Sequence, residues 1–321
     1  MRYLPVSKYT RVARSLLDNK MSGEDIYPFY ASLKLTNRCR FRCKFCNVWM
    51  EKTPELNTDG MKRVLDNLSD SSVLLVSFEG GEPLLRKDIR EILEYTSHKN
   101  FYLLFCTSER KLENYPMENY GKYIDFLHIS IDEGHENLFM FDNLELYRKW
   151  NSNLCVQTVV TLDDIPELEW KVKRCYEAGV KIVVMPAVHL NKTGNYFPGT
   201  ERFMIACLEA KAKYPNTVIS PDTYLKNLNN GVGCSSSSII IDVDGKLFYP
   251  CRKLDNKTAD LTRTDLHTYL KSDEAKDYRR QMAACTHHCG WYQYFATPSF
   301  TTFSGIFDAL KPYRKYIFSR G

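Results

Sequence analysis

Apolar and polar positions along this chain form two alternating patterns. Short runs that are almost entirely apolar, and rich in β-branched and aromatic residues, are separated by longer charged segments. Runs of this length and composition are typical of strands that are buried on both faces of a parallel sheet. We therefore predict six strands: YASLKL (30–35), VLLVSFE (73–79), FYLLFCT (101–107), FLHISI (126–131), CVQTVV (155–160) and KIVVMPA (181–187).

The segments between these runs have helical periodicity. Apolar residues recur at steps of three and four in 58–70, 86–98 and 164–179, and the last segment has Pro166 near its start and Gly179 at its end. Alternating strands and helices predict an α/β fold, which we interpret as a partial (β/α)6 barrel of the TIM type. Ligands bind at the carboxyl ends of the strands in such folds.

The pattern changes after about residue 190. A helical segment (201–214) is followed by an irregular stretch, and Asp244-Gly245 between two β-rich runs predicts a hairpin within 237–251. We therefore divide the chain into an N-terminal amphipathic segment (1–29), the partial barrel (30–194), a small second domain (195–297) and a basic aromatic tail (298–321).

Composition is that of a globular protein from a reducing compartment. Hydrophobic residues make up 44% of the chain, which is enough to build sizeable cores. No apolar run is long enough to span a membrane and no signal peptide precedes the fold, so we expect a cytoplasmic location. The formal charge of +5 is too small to indicate a nucleic-acid partner. Among eleven cysteines, those that cluster favour metal binding over disulfide formation.

Three cysteines lie close together in the loop that follows the first strand. The stretch TNRCRFRCKFC contains Cys39, Cys43 and Cys46. A tetrahedral zinc ion or a fully ligated iron–sulfur cluster takes four protein ligands, so a group of three either borrows a ligand or leaves one metal position open. The second strand ends in FEGGEP (78–83), where two glycines allow a close backbone approach.

The Cys-x3-Cys-x2-Cys spacing in this loop resembles the signature of the radical S-adenosylmethionine (radical SAM) superfamily. The resemblance covers about residues 30–190 and implies that the three thiolates hold a [4Fe-4S] cluster, whose fourth iron binds S-adenosylmethionine (SAM). An electron from the cluster then cleaves SAM to a 5′-deoxyadenosyl radical, which attacks a substrate. Phe45 matches the aromatic residue that the family places near the adenine. A structural zinc knuckle, completed by a remote cysteine, is the alternative for this loop.

Other strand ends supply further SAM contacts under the same resemblance. Gly80-Gly81-Glu82-Pro83 resembles the family's Gly-Gly-Glu-Pro element, which binds the SAM ammonium, although a plain strand-to-helix turn is the alternative. Cys106-Thr107-Ser108 departs from the Ser/Thr-Asn-Gly turn that many relatives have after the third strand. The remaining candidates, each of which could equally serve barrel packing or helix capping, are Ser130 and Asp132 for the ribose or carboxylate and Val184-Met185-Pro186 for the adenine.

A second group of cysteines lies in the C-terminal third of the chain. Cys234, a hairpin ending in Pro250-Cys251, and the pair Cys285 and Cys289 resemble the auxiliary-cluster region of SPASM or twitch-type radical SAM enzymes. The resemblance implies a second, fully ligated [4Fe-4S] cluster in this domain. A four-sulfur zinc site is the alternative, and His287 or His288 could replace a thiolate. Isolated cysteines are interpreted as small core residues, namely Cys155, Cys175 and Cys207, with Cys106 near a strand end.

No residue outside the cofactor motifs names the substrate. Compact radical SAM enzymes that act on isoprenoid or hopanoid lipids have a similar amphipathic N-terminal segment, so an isoprenoid or other lipid is our first hypothesis. The alternatives are a peptide or protein maturase and a carbohydrate-type dehydrogenase or epimerase. Apolar stripes at both ends suit either peripheral contact with the inner face of the membrane or docking onto the barrel; they comprise Tyr9, Val12, Ala13, Leu16 and Leu17, and then Phe303, Ile306, Phe307 and Leu310.

The remaining predictions concern electron supply, proton transfer and protein class. An acidic flavodoxin or ferredoxin is expected to meet the basic cluster loop at Arg38, Arg40 and Arg42. Groups near strand or hairpin ends that are available for proton transfer, without an assigned role, are Tyr196, His189 and Asp242. An iron–sulfur electron carrier or a zinc-bound interaction protein is the non-enzyme hypothesis, but neither needs an ammonium-binding element beside an incomplete cluster.

Overall fold

The computed structural model of the chain describes residues 2–190, 193–230, 234–287 and 289–298. The strands are β1 Tyr30–Thr36, β2 Leu75–Gly80, β3 Tyr102–Thr107, β4 Phe126–Ser130, β5 Leu154–Val160, β6 Lys181–Pro186, β7 Ser238–Ile241, β8 Lys246–Phe248 and β9 Lys257–Asp260. The helices are α1 Val6–Ser22, α2 Thr58–Asp70, α3 Ile89–Ser97, α4 Met117–Tyr120, α5 Leu144–Trp150, α6 Leu168–Glu177, α7 Thr200–Lys213, α8 Asp222–Asn230, α9 Leu266–Leu270, α10 Asp273–Ala283 and α11 Tyr292–Ala296.

One compact unit comprises Met1–Phe41, Val48–Leu127 and Cys234–His287. Its strands lie in the order β3-β2-β1-β7-β8-β9, parallel from β3 to β7 and antiparallel from β7 to β9. The predicted Asp-Gly hairpin is confirmed, because β7 and β8 are antiparallel and Gly245 has a left-handed φ of 79° between them. β7 also pairs directly with β1, so the hairpin extends the sheet of this unit. The proposed domain boundaries stay predictions.

The second compact unit comprises Arg42–Asn47, His128–Gly233 and His288–Gly321. Within it β5 and β6 are parallel, with register from Cys155↔Lys181 to Val160↔Pro186. Three isolated cysteines occupy core positions as predicted, since Cys155, Cys175 and Cys207 are all buried. Burial raises the pKa of the Cys155 thiol to about 12, so this cysteine is inert at neutral pH.

The predicted α/β architecture with a parallel sheet is confirmed, and each predicted strand is found within two residues of its expected bounds. The helix predicted at 58–70 is α2 in full. The helix predicted at 86–98 begins only at Ile89, because Arg86 is extended and its guanidinium donates to the carbonyls of Leu35 and Leu56. A 3-10 turn at Ile165–Glu167 replaces the start of the helix predicted at 164–179.

The N-terminal segment is helical as expected, but of the predicted apolar stripe only Val12 is buried. The buried residues of α1 are Lys8, Val12, Ser15 and Asn19. Lys8 Nζ donates to the carbonyls of Ser69 and Ser71 at 3.2 and 2.8 Å. Hydrogen bonds therefore fix the rotation of α1, and Leu17 faces solvent. The C-terminal stripe, from Phe303 to Leu310, lies outside the described residues.

Candidate functional site

The end of β2 lies against the backbone that leads from β1 into the cysteine loop. Gly81 N–H donates to the Thr36 carbonyl at 2.7 Å, and Glu82 N–H donates to the Arg38 carbonyl at 2.8 Å. A Cβ added to Gly80 would lie 2.4 Å from the Thr36 oxygen, and one added to Gly81 would lie 2.2 Å from the Arg38 oxygen. Only glycine fits at both positions, so the Gly-Gly pair holds the start of the loop that carries Cys39.

Glu82 is fully buried at this point and is held by three donors. Its carboxylate accepts the N–H of Leu84 at 3.1 Å, the hydroxyl of Thr107 at 2.8 Å and the N–H of Ser108 at 2.8 Å. Burial raises the pKa of Glu82 from 4.5 to about 7, although the three hydrogen bonds act in the opposite direction. Thr107 and Ser108 thus fix Glu82, even though this turn departs from the expected Ser/Thr-Asn-Gly sequence.

Two of the loop arginines are already paired with carboxylates. Arg38 contacts Glu55 at 3.3 Å, and Arg40 contacts the buried Glu109 at 3.0 Å. Both guanidinium groups remain about half exposed, with side-chain exposures of 52% and 61%. These pairs tie the loop to the structure around it and reduce the charge that an electron donor would meet. The expected role of Arg38, Arg40 and Arg42 in docking such a donor stays a prediction.

Asn37 offers unpaired polar atoms beside the glycine pair. The residue is only 6% exposed, yet neither its side-chain oxygen nor its side-chain nitrogen has a hydrogen-bond partner within the described residues. Its carbonyl carbon lies 3.0 Å from the position of a Cβ on Gly81. Because a buried amide without partners is costly, the site fits a bound polar ligand there. The glycine pair and this amide are thus chemically suited to SAM, and the thiols of the Cys-x3-Cys-x2-Cys sequence are the donors that a [4Fe-4S] cluster takes.

The other part of the cysteine loop belongs to the second unit. Cys46 N–H donates to the Cys43 carbonyl at 3.1 Å, which closes a tight turn between these two cysteines. The buried Phe45 ring lies so near Gly134 that a Cβ there would be 2.3 Å from Phe45 Cε1. Phe45 also meets His135 edge-on at 6.3 Å. The ring is therefore held by the turn after β4.

Asp132 and Ser130 occupy the end of β4 as predicted. Asp132 is fully buried and caps a short turn, since its carboxylate accepts the backbone N–H of His135 at 3.0 Å and contacts His135 Nδ1 at 2.8 Å. Its second oxygen accepts the N–H of Val159 at 3.3 Å. The capping alternative is thus realised in the structure, while contacts of Asp132 and Ser130 with SAM stay predictions. Ser130 retains partial exposure.

The second group of cysteines is spread over different environments. Cys251 is buried directly after the Tyr249-Pro250 pair, Cys285 is half-buried after α10, and Cys234 is exposed. Cys289, also half-buried, belongs to the second unit, and His288 lies outside the described residues. Across the described ranges, no three His, Cys, Asp or Glu side chains converge as a bound metal ion requires. The assignment of both cysteine groups therefore rests on donor chemistry and spacing.

A buried polar face on β1 and β2 escaped the sequence analysis. β1 alternates apolar and polar residues, yet Ser32, Lys34 and Thr36 are at most 5% exposed. Burial on both faces was predicted for this strand, but such alternation is typical of half-exposed strands, and the polar character of one face was not recognised. Tyr30 and Glu79 are the partly accessible members of this face, and the Tyr30 hydroxyl donates to Glu79 Oε1 at 3.1 Å.

Two buried serines, Ser32 and Ser77, accompany the Tyr30–Glu79 pair on this polar face. They lie on the same two strands as the pair, and both are fully buried. Burial raises the pKa of Glu79, and hydrogen bonding from Ser77, Ser32 and Tyr30 only partly opposes the shift. We call these four residues, Tyr30, Ser32, Ser77 and Glu79, the polar platform. It combines a carboxyl group and a phenol, one residue before the Gly-Gly pair, and can exchange hydrogen bonds with a polar ligand.

Asp242 is not available for proton transfer, which corrects one expectation. It is fully buried between two lysines, with Lys34 Nζ at 2.7 Å from Oδ1 and Lys257 against the other oxygen. Although burial disfavours the ionised form, Lys34 and Lys257 hold the pKa of Asp242 below its usual value of 3.8. Its charge joins β7 to β1, so Asp242 is a structural residue.

Comparison with known proteins decides the family. The model of the radical SAM superfamily matches residues 33–204, which is 172 of the 321 residues. The chain belongs to the radical SAM superfamily. Membership implies a [4Fe-4S] cluster and SAM as cofactors, as the three-cysteine loop predicts. It argues against a zinc knuckle in this loop and against the non-enzyme hypotheses.

Curated relatives match part of the radical SAM region. "PqqA peptide cyclase" from Bradyrhizobium diazoefficiens is 38% identical over 98 residues, which cover 29% of this chain and 26% of the relative. "S-adenosylmethionine-dependent nucleotide dehydratase" from Selenomonas ruminantium is 31% identical over 108 residues, which cover 32% of this chain and 39% of the relative. The match thus spans well under half of either relative.

Solved structures of radical SAM enzymes share the fold. SuiB from Streptococcus suis bound to S-adenosylmethionine superposes with a TM-score of 0.65 and 14% identity, covering 91% of this chain and 79% of SuiB. The enzyme anSMEcpe, with bound AdoMet and the Cp18Cys peptide, gives a TM-score of 0.61 and 14% identity, covering 91% of this chain and 97% of that enzyme. These similarities confirm the predicted radical SAM fold of the chain.

Gly81→Ala should separate the cysteine loop from β2. The new Cβ would lie against the Arg38 carbonyl, a backbone atom that cannot move aside without shifting the loop. We expect a loss of roughly 2–4 kcal/mol in unfolding free energy and a loss of iron after anaerobic reconstitution. Gly23→Ala is the control, because no atom lies within 4 Å of the Cβ that it adds, so any cost there comes from the left-handed φ of 69° and not from a clash. Equal stability and iron content in both variants would refute this account.

The raised pKa of Glu82 predicts a pH dependence of SAM affinity. An ammonium group binds the ionised carboxylate better, so lowering the pH through about 7 should weaken SAM binding by roughly tenfold between pH 7.5 and about 6. Glu82→Gln should bind SAM weakly with a flat profile, as measured by anaerobic equilibrium dialysis. For folding the sign is opposite, since a raised pKa means that Glu82 destabilises the fold as pH rises from 4.5 through 7. An unchanged profile in Glu82→Gln would exclude Glu82 as the titrating group.

Proposed function

We propose that this protein is a radical SAM enzyme that cleaves SAM reductively and uses the resulting radical on a polar substrate, a peptide. The observation that carries the first part is the joining of Gly81 and Glu82 to the backbone of the cysteine loop. In this proposal Cys39, Cys43 and Cys46 hold the [4Fe-4S] cluster. The bound cluster supplies the electron that breaks a C–S bond of SAM.

The residues around the loop would bind and orient SAM. Glu82 and the backbone of Gly80 and Gly81 would receive the ammonium group, and Pro83 begins the short 3-10 helix Pro83–Leu85 that follows this backbone. The side-chain amide of Asn37, which has no hydrogen-bond partner within the described residues, is available to bind the carboxylate or another polar group of SAM. Phe45 would pack near the adenine, where Gly134 already fixes its ring.

The substrate class is supported by two independent observations. Relatives of the matched region are named for a peptide cyclase and a nucleotide dehydratase, and one structural neighbour is SuiB bound to the precursor peptide SuiA. These names favour the peptide alternative over the lipid that the sequence first suggested. The polar platform favours the same class, because a carboxyl and a phenol suit amides and hydroxyls rather than an isoprenoid chain.

Two further parts of the proposal concern electron flow. Cys234, Cys251, Cys285 and Cys289 would hold an auxiliary [4Fe-4S] cluster, and the fold shared with SPASM-type enzymes supports this part of the proposal. A flavodoxin or ferredoxin would deliver the first electron near the cysteine loop. The partly exposed guanidinium groups of Arg38 and Arg40, together with Arg42 in the same loop, would meet such a partner.

Reconstituted protein should produce 5′-deoxyadenosine from SAM under anaerobic, reducing conditions. The triple variant Cys39→Ala/Cys43→Ala/Cys46→Ala should lose this activity and about four irons, since it lacks the ligands of one cluster. A quadruple alanine variant of the other cysteine group should lose about four irons but keep cleaving SAM. The control is Cys207→Ala, a buried core cysteine that should lose neither. SAM cleavage by the triple variant would contradict the proposed cluster site.

Glu79→Leu should lower the response to substrate without lowering basal SAM cleavage. In assays with panels of short peptides and of dispersed polyprenols, an active substrate should raise the rate of 5′-deoxyadenosine formation. We expect that response to fall by roughly tenfold in Glu79→Leu, because a desolvated polar contact is lost. Glu94→Leu, on the exposed side of α3, is the matched control. Stimulation by polyprenols alone, or equal responses in the two variants, would exclude the polar platform as the substrate contact.

A further inference from the structure

Helix α1 has one face that is fixed against the protein. Lys8, Val12, Ser15 and Asn19 are buried, and at 100° per residue they fall within an arc of about 60°. Asn19 exchanges two hydrogen bonds of 2.9 Å with the backbone of Tyr27, while Lys8 reaches the carbonyls of Ser69 and Ser71. These contacts anchor both ends of α1, so the direction of its opposite face is determined.

The opposite face of α1 presents an apolar stripe to solvent. Its members follow one another at steps of three and four and are all exposed; they are Val6, Thr10, Ala13, Leu17 and Met21, which we call the outer stripe. Val6, Leu17 and Met21 are 76%, 55% and 78% exposed, and Tyr3 just before the helix is 92% exposed. Because each member projects freely, the outer stripe is a convex ridge rather than the wall of a groove.

Two cations flank the outer stripe. Arg14 and Lys20 are exposed, on opposite sides of Leu17 in the helical projection, and neither forms an ion pair among the described residues. Residues 1–22 contain Arg2, Lys8, Arg11, Arg14 and Lys20 against one acid, Asp18. An apolar ridge with basic flanks, on a helix held flat against the protein, has the pattern of a helix that lies in a membrane interface.

The geometry points to reversible docking of the outer stripe onto an anionic membrane surface. Charge complementarity selects this occupant, because acidic lipid headgroups would neutralise Arg14 and Lys20 while the ridge enters the interface. A second copy of the chain would oppose the same cations. Residues 299–321 contain four basic residues and one acid, so their charge is also of the wrong sign to cover this face. A convex ridge also suits a deformable bilayer better than a preformed peptide groove.

The test is sedimentation of the full chain with lipid vesicles. We expect roughly fivefold more protein to pellet with phosphatidylcholine vesicles that contain about 30% phosphatidylglycerol than with phosphatidylcholine alone, and salt to reverse the difference. Leu17→Ser/Met21→Ser and Arg14→Glu/Lys20→Glu should each abolish the excess. Ile205→Ser/Leu208→Ser is the matched control, because it removes two exposed apolar side chains from α7.

The experiment also distinguishes a membrane from the other partners that could cover the outer stripe, namely a second copy of the chain and residues 299–321. Equal pelleting with both vesicle types, or an equal loss in the Ile205/Leu208 control, overturns the proposal. A dimer in size-exclusion chromatography that Leu17→Ser/Met21→Ser dissolves assigns the face to a second copy. Faster hydrogen exchange in α1 after deletion of 299–321 assigns it to that segment. Circular dichroism and 5′-deoxyadenosine formation should be unchanged in every α1 variant, so failure of the proposed function would be seen separately.

Discussion

The structure of the site depends on two main-chain hydrogen bonds that only glycine permits. Gly81 and Glu82 donate to the carbonyls of Thr36 and Arg38, and a Cβ on either glycine would occupy the space of those carbonyls. The end of one strand thereby fixes the first residues of the loop after the neighbouring strand. Because the loop starts with these residues, a backbone contact fixes the chain that leads to Cys39, and the Arg38–Glu55 and Arg40–Glu109 ion pairs reinforce it.

Glu82 contributes to this connection through its carboxylate as well as through its backbone. Its backbone holds the loop, and its carboxylate is held in turn by Thr107 and Ser108 at the end of β3. Three successive strand ends therefore meet at one buried carboxyl group. Burial and hydrogen bonding act on its pKa in opposite directions, and the balance leaves the group half-ionised near neutrality. A small change in its surroundings, such as the arrival of a cation, can thus change its charge.

Sequence patterns predicted the strands, α2, the three-cysteine loop and the Gly-Gly-Glu-Pro motif, because all of these depend on local properties of the sequence. Apolar runs, and the glycines and prolines that end them, can be recognised in the sequence without knowledge of the tertiary structure. The buried face of α1 was not predictable in this way, since Lys8 and Asn19 are buried for hydrogen bonds to distant carbonyls rather than for apolar contact. The pairing of β7 with β1 was hidden for a related reason, because the buried partners Lys34 and Asp242 are far apart in sequence.

The polar residues of β1 belong to two clusters that differ in their exposure to solvent. Lys34 is paired with Asp242 and Glu51, so its charge is neutralised by ion pairs inside the protein. Tyr30 and Glu79 differ, because both keep partial exposure while Ser32 and Ser77 lie buried beneath them. A structural polar pair has no need of access to solvent, whereas a pair that meets a ligand must have it. The contrast between these two clusters on one strand is the physical reason for proposing that Glu79 contacts the substrate.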